Sequence, residues 1–260
     1  MIIDTEAWIT EKQNWNHFHL LSIESSEIAQ KSIPGQFIMV RVSSRFSPLL
    51  RRPFSIHSKK GNIIEIFFKA LGKGTILLSQ KNTGETIDIL GPLGKGFTLH
   101  PDIKGKKAAL VGGGRGIAPL YFLAKELKSQ NFSLRFFYGG KTSRELPLSE
   151  KLTKDHFDTL YATDDGTTGF KGFISDLFKK EIKETIPDYV YACGPELMMK
   201  KVYQTAQEYH IPSEFSLESI MGCGIGACWG CVKKILRNQK EEWLKICTEG
   251  PVFKGSEIIW

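Results

Sequence analysis

Four cysteines near the C-terminal end restrict what this sequence can fold into more than any other feature. Cys223, Cys228 and Cys231 lie within MGCGIGACWGC, and Cys247 follows after fifteen intervening residues. The spacing C-x4-C-x2-C-x15-C takes three ligands from one loop and a fourth from a distance, as plant-type ferredoxins do around a [2Fe–2S] cluster. The glycines beside the cysteines let the backbone curl over such a cluster and aim N–H groups at sulfur. We therefore predict an iron–sulfur centre here.

Structural zinc is the alternative ligand for these thiols. Zinc sites usually take cysteine pairs from two separate C-x2-C knuckles, so three ligands from one loop favour the iron–sulfur cluster. A [2Fe–2S] cluster passes one electron at a time, so a second cofactor is needed to exchange electrons with it.

Charge and hydropathy argue against nucleic acid and membrane as partners. The formal charge of +7 is spread over scattered lysine pairs, with no long basic block. No apolar run is long enough to span a membrane. The first residues, MIIDTEAWITEKQ, carry acids where a signal peptide needs basic residues, so we expect a cytoplasmic protein with reduced thiols.

The spacing of apolar residues, glycines and prolines predicts three domains that combine α+β and α/β architecture. Residues 1–100 alternate short apolar runs with glycine and proline, which indicates a small antiparallel barrel or sandwich, with one short helix over 73–80. Residues 101–212 alternate strands with helices, which indicates a parallel sheet covered on both faces. Residues 213–260 are too few for a large core and need the cluster for stability.

Two segments in the first domain suit a flavin nucleotide. In RRPFS, Arg52 can pair with a pyrophosphate, Phe54 can pack beside a flat ring, and Ser55 can hydrogen-bond its edge. In KALGKGT, Gly74 and Thr75 lie at a predicted helix start, where free N–H groups favour a phosphate. An ordinary barrel strand and an ordinary glycine turn are the alternatives.

Two segments in the second domain suit a nucleotide at the carboxyl end of the sheet. VGGGRGIAPL is a strand, a glycine turn and a helix, although Pro119 departs from the usual dinucleotide fingerprint. YACGPELMM places Cys193 where a strand runs into a helix. A buried, inert thiol is the alternative for Cys193.

The order RPFS, GKGT, GPLGKGF, VGGGRGIAPL and CGPELM resembles the ferredoxin–NADP reductase superfamily. With the cysteine spacing and TDDGTTGFKGF added, the sequence looks like the electron-transfer subunits of heteromeric, NAD-dependent dihydroorotate dehydrogenases. The resemblance covers nearly the whole chain. It implies a flavin-binding barrel followed by a pyridine-nucleotide domain and a [2Fe–2S] domain.

The resemblance also implies which residues hold each cofactor. FAD would be held by Arg52, Pro53, Phe54, Ser55, Phe68, Lys69, Gly74 and Thr75. NAD(H) would approach Gly112, Gly113, Gly114, Gly116, Gly194 and Pro195, with Cys193 beside the reacting nicotinamide carbon. The cluster would be bound by Cys223, Cys228, Cys231 and Cys247.

The same resemblance implies a partner. Dihydroorotate would be oxidised on an FMN-containing catalytic subunit, and electrons would pass singly to the cluster, then to FAD and finally to NAD+. The family suggests a heterotetramer with two chains of each kind. We expect the partner surface near the cluster, with Gly224, Ile225 and Trp229 as candidates, and the core of the small domain is the alternative place for Trp229.

Two features concern the choice of nucleotide. Asp164 and Asp165 end a predicted strand where NADP-dependent members of the superfamily place a serine and a basic residue, so NAD is expected. These acids could instead only cap a turn, and Lys141 and Arg144 lie in the neighbouring loop. Arg115 stands where relatives usually have an apolar residue, and it either reaches a phosphate or points outward.

Two other functions remain open. A subunit of the same layout could serve a ferredoxin, sulfide, transhydrogenase or hydrogenase partner, since the partner decides the substrate. A nucleotide-binding regulatory module with structural zinc is the alternative from another class.

Overall fold

The computed structural model describes residues 1–43, 47–99 and 106–260. Its contacts divide it into two compact units, which we describe separately. The barrel unit consists of Met1–Gly96, Glu218–Lys234 and Trp243–Pro251, and the sheet unit consists of Phe97–Leu217, Ile235–Glu242 and Val252–Trp260. The predicted limit between residues 100 and 101 lies outside the described residues. The limits of the three predicted domains therefore remain a prediction.

Six antiparallel strands form a closed barrel in the barrel unit, as the alternating apolar runs predict. They are β1 (Ile2–Trp15), β2 (Phe18–Glu24), β3 (Phe37–Arg41), β4 (Arg52–Lys60), β5 (Ile63–Lys69) and β6 (Thr86–Leu93). Their order around the barrel is β1-β2-β5-β4-β3-β6. Two short helices join them, α1 (Ser26–Lys31) and α2 (Lys73–Ser79), and α2 confirms the helix expected over 73–80.

β-Branched and aromatic side chains fill the barrel because they pack well on a pleated surface. Ile23, Ile38, Ile56, Ile64 and Ile66 are all fully buried.

The chain entering β4 is anchored by an ion pair. Arg51 Nη2 lies 2.7 Å from both carboxylate oxygens of Asp88, and Arg51 Nη1 donates to the Asp88 carbonyl at 3.0 Å. This bidentate pair ties the segment before β4 to β6. Of the two adjacent arginines, Arg51 is therefore structural, and Arg52 begins the strand.

The remaining elements alternate strands and helices through most of the chain. The helices are α3 (Ile117–Ser129), α4 (Ser149–Lys154), α5 (Ile174–Glu181), α6 (Glu196–Glu208) and α7 (Ile246–Glu249). The strands are β7 (Lys107–Gly113), β8 (Ser133–Gly140), β9 (Asp158–Thr163), β10 (Phe170–Lys171), β11 (Tyr189–Cys193), β12 (Ser213–Ser216), β13 (Val232–Arg237), β14 (Lys240–Lys245) and β15 (Val252–Lys254).

A seven-stranded sheet is the centre of the sheet unit, with strand order β10-β9-β8-β7-β11-β12-β15. All neighbours run parallel except β15, which pairs antiparallel with β12. Every residue of β11 is buried. Because successive strand residues point to opposite faces, both faces of the sheet are covered there, as predicted.

Two strands after residue 212 also join this sheet. β12 pairs with β11 from Val190–Ser213 to Cys193–Ser216, and β15 pairs with β12. Between β12 and β15 in the chain, β13 and β14 form a separate two-stranded sheet. Asn238 and Gln239 make its turn with positive φ angles of 48° and 63°, which match the twist of a two-residue hairpin turn.

Within the described residues, no helix combines the length and the apolar character that crossing a membrane requires.

Candidate functional site

The structure brings the four predicted cluster cysteines together in the barrel unit. Ile246 N donates to Cys231 O at 3.1 Å, which joins the loop to α7, the short helix that carries Cys247. Cys231 lies close enough to Cys247 to raise the pKa of its thiol, and Cys228 lies close enough to Cys223 to lower the pKa of its thiol. The four sulfur atoms therefore form two neighbouring pairs.

Backbone N–H groups of the loop point at the first pair of sulfur atoms. The nitrogens of Ile225 and Cys228 lie 3.5 and 3.4 Å from Cys223 Sγ. Gly230 N lies 3.4 Å from Cys228 Sγ. Such N–H groups stabilise negative charge on sulfur, which is the state of a cysteine that binds iron.

The pKa values of the thiols reflect these surroundings. Burial by itself raises the pKa of Cys223, but the N–H donors of the loop outweigh burial and bring it to about 6. Burial, followed by the neighbouring Cys231, raises the pKa of Cys247 to about 12. A buried thiolate at Cys247 needs positive charge beside it, which a metal centre supplies.

The donor set fits a two-iron cluster. Two pairs of thiols, the first of which accepts hydrogen bonds from N–H groups of the loop, suit two irons that each take two thiolates.

The cluster loop packs directly on the barrel at Gly224. A Cβ atom on Gly224 would lie 2.5 Å from Met39 Cγ, and the φ of Gly224 is +74°. Met39 is fully buried on β3, where it pairs with Pro53 of β4. The loop therefore packs on the strand beside the predicted flavin strand, a contact that the sequence does not reveal.

The GPLGKGF motif, residues 91–97, contacts the segment after Cys247. The sequence pattern alone does not predict this role. Lys95 N donates to Gly250 O at 2.6 Å, and Lys95 Nζ lies 3.9 Å from the Glu249 carboxylate. A Cβ atom on Gly94 would lie 2.7 Å from Gly250 O. Glycine at 94 thus permits the close approach that positions the fourth cysteine.

The predicted flavin residues lie near one another on β4, β5 and α2. Arg52 packs against Gly74, where a Cβ atom would lie 3.0 Å from Arg52 Nε. Arg52 Nη1 donates to the Leu50 carbonyl at 2.7 Å, which orients the guanidinium. A guanidinium beside a helix N-terminus is an arrangement that suits a pyrophosphate.

Aromatic rings lie next to this arginine. The rings of Phe54 and Phe68 meet edge to face at 5.3 Å, and Phe68 stacks on His19 at 5.3 Å. Pro53 and Ser55, on either side of Phe54, are half-buried. Their placement suits contact with a flat ring, and their roles remain predictions.

Lys69 and Thr75 make contacts within the protein. Lys69 Nζ lies 5.1 Å from the centre of the Phe18 ring. Thr75 Oγ1 accepts hydrogen bonds from the N–H groups of Leu71 and Gly72, at 2.9 and 3.1 Å. The Thr75 hydroxyl therefore caps the start of α2, and its contact with FAD remains a prediction.

In the sheet unit, the glycine turn after β7 packs against the end of β11. A Cβ atom on Gly116 would lie 2.0 Å from the Cys193 carbonyl oxygen. One on Gly113 would lie 2.8 Å from Pro195 Cδ, and Gly112 pairs with Cys193 in the sheet register. The two predicted nucleotide segments are thus brought together at the carboxyl end of the sheet, where α/β proteins bind ligands.

Room remains beside this turn. Nothing lies within 4 Å of a Cβ position on Gly114, whose φ is +53°. Gly194 has a φ of +154°, and Gly113 N lies 3.0 Å from its Cβ position. Cys193 is only 3% exposed. Its burial is compatible with packing as well as with nicotinamide contact, so its role remains a prediction.

The two acids after β9 behave differently. Asp165 Oδ1 accepts hydrogen bonds from Thr167 N and Thr167 Oγ1, at 3.0 and 2.7 Å, and these bonds lower the pKa of Asp165. Asp165 therefore caps a turn. In the described structure, Asp164 is exposed and its carboxylate has no hydrogen bond or ion pair. Arg115 is likewise exposed in the glycine turn.

The surface beside the cluster loop carries exposed apolar side chains. Ile225 and Trp229 are 43% and 58% exposed, and Lys245 Nζ lies 4.6 Å from the centre of the Trp229 ring. Gly224 is buried against Met39. The expectation that Gly224 belongs to an exposed partner surface is therefore wrong, because its missing side chain serves contact with the barrel.

Two family models match the chain. The iron–sulfur cluster binding domain of dihydroorotate dehydrogenase B matches residues 218–259. The oxidoreductase NAD-binding domain matches residues 110–204. The fold and the candidate site thus define a class, the oxidoreductases that join a ferredoxin-reductase-like core to an iron–sulfur segment.

Curated relatives place the chain within that class. An electron transfer subunit of dihydroorotate dehydrogenase B (NAD(+)) from Desulforamulus reducens is 37% identical and covers 93% of this chain and 92% of its own length. The corresponding subunit from Geobacillus sp. strain WCH70 is 40% identical over 92% of this chain and 91% of its own length. The chain belongs to the family of dihydroorotate dehydrogenase B (NAD(+)) electron transfer subunits.

Solved structures agree with this fold. A chain from the NADH-dependent reduced ferredoxin–NADP oxidoreductase, studied for flavin-based electron bifurcation, has a TM-score of 0.84 and 30% identity, covering 99% of this chain and 91% of that one. A ferredoxin–NADP+ reductase from Neisseria gonorrhoeae with bound FAD and NADP has a TM-score of 0.66 and 20% identity, covering 78% and 90%. The second likeness concerns the fold alone.

Proposed function

We propose that this chain transfers electrons between a catalytic subunit that oxidises dihydroorotate and NAD+. The cofactors are FAD, a [2Fe–2S] cluster and NAD(H). When bound, the cluster carries single electrons, while FAD exchanges electrons singly with the cluster and as a pair with NAD(H). The observation that carries the proposal is the loop with two thiol pairs, packed on the barrel strand beside RRPFS.

The protein's part in this chemistry is to position and tune the cofactors. Loop N–H groups stabilise the charge on the cluster thiolates, and Arg52 with the start of α2 would bind the flavin pyrophosphate. The glycine turn after β7 would admit the nucleotide to the end of the sheet. We propose the residue roles that the family resemblance implies, with Cys193 beside the nicotinamide.

The preference for NAD over NADP depends on Asp164. Asp165 caps a turn, and the exposed Asp164 carboxylate would repel the 2′-phosphate of NADP. Lys141 and Arg144 are exposed on the neighbouring loop. NAD agrees with the names of the relatives.

The partner is proposed to be an FMN-containing catalytic subunit in a heterotetramer with two chains of each kind. Ile225 and Trp229 are exposed beside the cluster loop, and electron transfer requires the partner's cofactor to come close to the cluster. A reducing compartment keeps five free cysteines as thiols, which supports a cytoplasmic location.

A second candidate partner is favoured by one observation. The similar structure with a TM-score of 0.84 is that of an NADH-dependent reduced ferredoxin–NADP oxidoreductase. A chain of this layout could therefore serve a ferredoxin-linked partner. The cofactors would be the same, and only the partner would differ.

The test begins with protein purified anaerobically from its native cell together with its partner. We expect iron, acid-labile sulfide and FAD in the chain, a rhombic electron paramagnetic resonance (EPR) signal after reduction, and NAD+ reduction driven by dihydroorotate. Zinc without iron or flavin would refute the cofactor assignment. A partner that holds no FMN, oxidises no dihydroorotate and reduces ferredoxin would select the second candidate.

A cysteine variant tests the electron route. Cys228 is exposed, so Cys228→Ser should leave the barrel folded and FAD bound. Reduction of a soluble dye by NADH should persist, while coupling to the catalytic subunit should fall to background because the cluster is lost. Flavin content is measured as the control. Normal coupling in this variant would contradict the proposed route.

A further inference from the structure

The hydroxyl of Thr248 is buried and has no hydrogen-bond partner among the described residues. Thr248 lies on α7, directly after the fourth predicted ligand. A buried hydroxyl without a partner is destabilising, so native structures rarely leave one unexplained. Neither the sequence pattern nor the family resemblance assigns Thr248 a role.

Other helical threonines in this chain satisfy their hydroxyls locally. Thr205 Oγ1 donates to Lys201 O at 3.1 Å, and Thr153 Oγ1 donates to Ser149 O at 3.1 Å. This bond to the preceding turn is the usual partner of a helical threonine. Thr248 makes no such bond, so its hydroxyl is left available for a group outside the helix.

The side chain of Thr248 faces the cluster loop at Gly226. A Cβ atom on Gly226 would lie 3.0 Å from Thr248 Cγ2 and 3.5 Å from Thr248 Oγ1. Gly226 lies between the predicted ligands Cys223 and Cys228 in the cluster loop. The unpartnered hydroxyl therefore faces the segment of the loop that carries two predicted ligands.

We infer that the Thr248 hydroxyl donates a hydrogen bond to a sulfur atom of the bound iron–sulfur cluster and thereby raises its reduction potential. The inference rests on the proposed function, since it requires the cluster. A hydrogen bond to sulfur stabilises the reduced cluster, which carries one more negative charge, more than the oxidised one. Removing the donor should therefore make the cluster harder to reduce.

The experiment measures the midpoint potential of the cluster by EPR-monitored redox titration of the purified holoprotein. Thr248→Val removes the hydroxyl at nearly constant volume, Thr248→Ala removes it without any risk of a clash, and Thr248→Ser restores it. Thr205→Val serves as the matched control, because it removes a hydroxyl that is bonded within α6 of the sheet unit.

We expect a lower potential in the valine and alanine variants and wild-type values in the serine variant and the Thr205→Val control. Equal potentials in all proteins would overturn the inference while leaving the cluster, and hence the proposed function, intact. Loss of iron from both the valine and the alanine variants, with retention in the serine variant, would also support a hydroxyl bond to the cluster. Loss of iron from all three would overturn the inference, because the serine variant keeps the hydroxyl and would still lose the cluster. A wild-type protein without iron would instead refute the proposed function.

Discussion

Individual glycines in this chain act through the side chain they lack. Gly116 lets the turn after β7 touch the Cys193 carbonyl, and Gly94 lets the barrel touch Gly250. At neither position does the nearest neighbour belong to a flexible side chain that can swing away. These two glycines are therefore required for close approach of backbones, which is how both the predicted nucleotide segments and the fourth cysteine are positioned.

A residue-scale prediction compares Gly116, in the turn after β7, with Gly112, near the end of β7. Gly116→Ala places a Cβ atom 2.0 Å from the Cys193 carbonyl oxygen and should lower the free energy of unfolding by about 3 kcal/mol or more. Gly112→Ala meets its nearest neighbours only at 3.3–3.4 Å and should cost less than about 1 kcal/mol. Urea unfolding measures both. Equal losses of stability in the two variants would show that contact with the Cys193 carbonyl oxygen is not the cause of the destabilisation.

At the scale of elements, the cluster loop and β3 form one packed contact. Met39 on β3 lies against Gly224 and, in the strand register, opposite Pro53. The loop is therefore held by the same strand that pairs with the predicted flavin segment. β3 and β4 are hydrogen-bonded neighbours in the barrel. The position of the cluster loop relative to these two strands therefore depends on barrel packing as well as on the cluster.

An element-scale prediction follows for the loop. Gly224→Ala introduces a Cβ atom 2.5 Å from Met39 Cγ at a φ of +74°, and the two effects should cost about 2–4 kcal/mol together. We expect reduced iron content per chain and a lower melting temperature. Adding Met39→Ala should relieve the steric part and restore some of the iron.

The control for this prediction lies in the same loop. A Cβ atom on Gly230 would meet only Cys228 Sγ, at 3.5 Å. Gly230→Ala should therefore keep iron content near that of the wild type. If it lost as much iron as Gly224→Ala, the loop would be sensitive to any added methyl group, and the contact with β3 would not be the cause.

For the whole molecule, the two compact units separate the cofactor sites. The cluster cysteines and the predicted flavin residues lie in the barrel unit, while the glycine turn and Cys193 lie in the sheet unit. A ligand that binds only the native state stabilises the part of the structure that holds it. Removal of one cofactor should therefore loosen one unit selectively.

Hydrogen exchange can test this selectivity. Removing iron with a chelator under reducing conditions should speed exchange in residues 218–231 and 246–250, because the thiols that join these segments lose their shared partner. Exchange in β7, β8 and β11 should stay unchanged. Comparable acceleration in those three strands would contradict the separation, and reconstitution with iron and sulfide provides the control.

Much of this architecture is predictable because its causes are local. Alternating apolar runs predicted the barrel, the strand and glycine turn at 107–116 predicted the start of the parallel sheet, and helical spacing predicted α6. The β13–β14 hairpin was not predicted, because its strands are polar and its turn residues, Asn238 and Gln239, lack the usual glycine. The pairing of β15 with the sheet was also not predicted, since a strand of three residues is too short to show an alternation of apolar and polar residues.

By itself, the sequence determined the cysteine spacing, the order of the cofactor motifs and the period of each element, because each of these depends on residues close together in the chain. Only the tertiary structure decided that Gly224 lies against Met39, that Gly94 and Lys95 hold the segment after Cys247, and that Thr248 faces the cluster loop. Some of these contacts join residues far apart in sequence, and others depend on the orientation of one side chain. Both are determined by the packing of the folded protein.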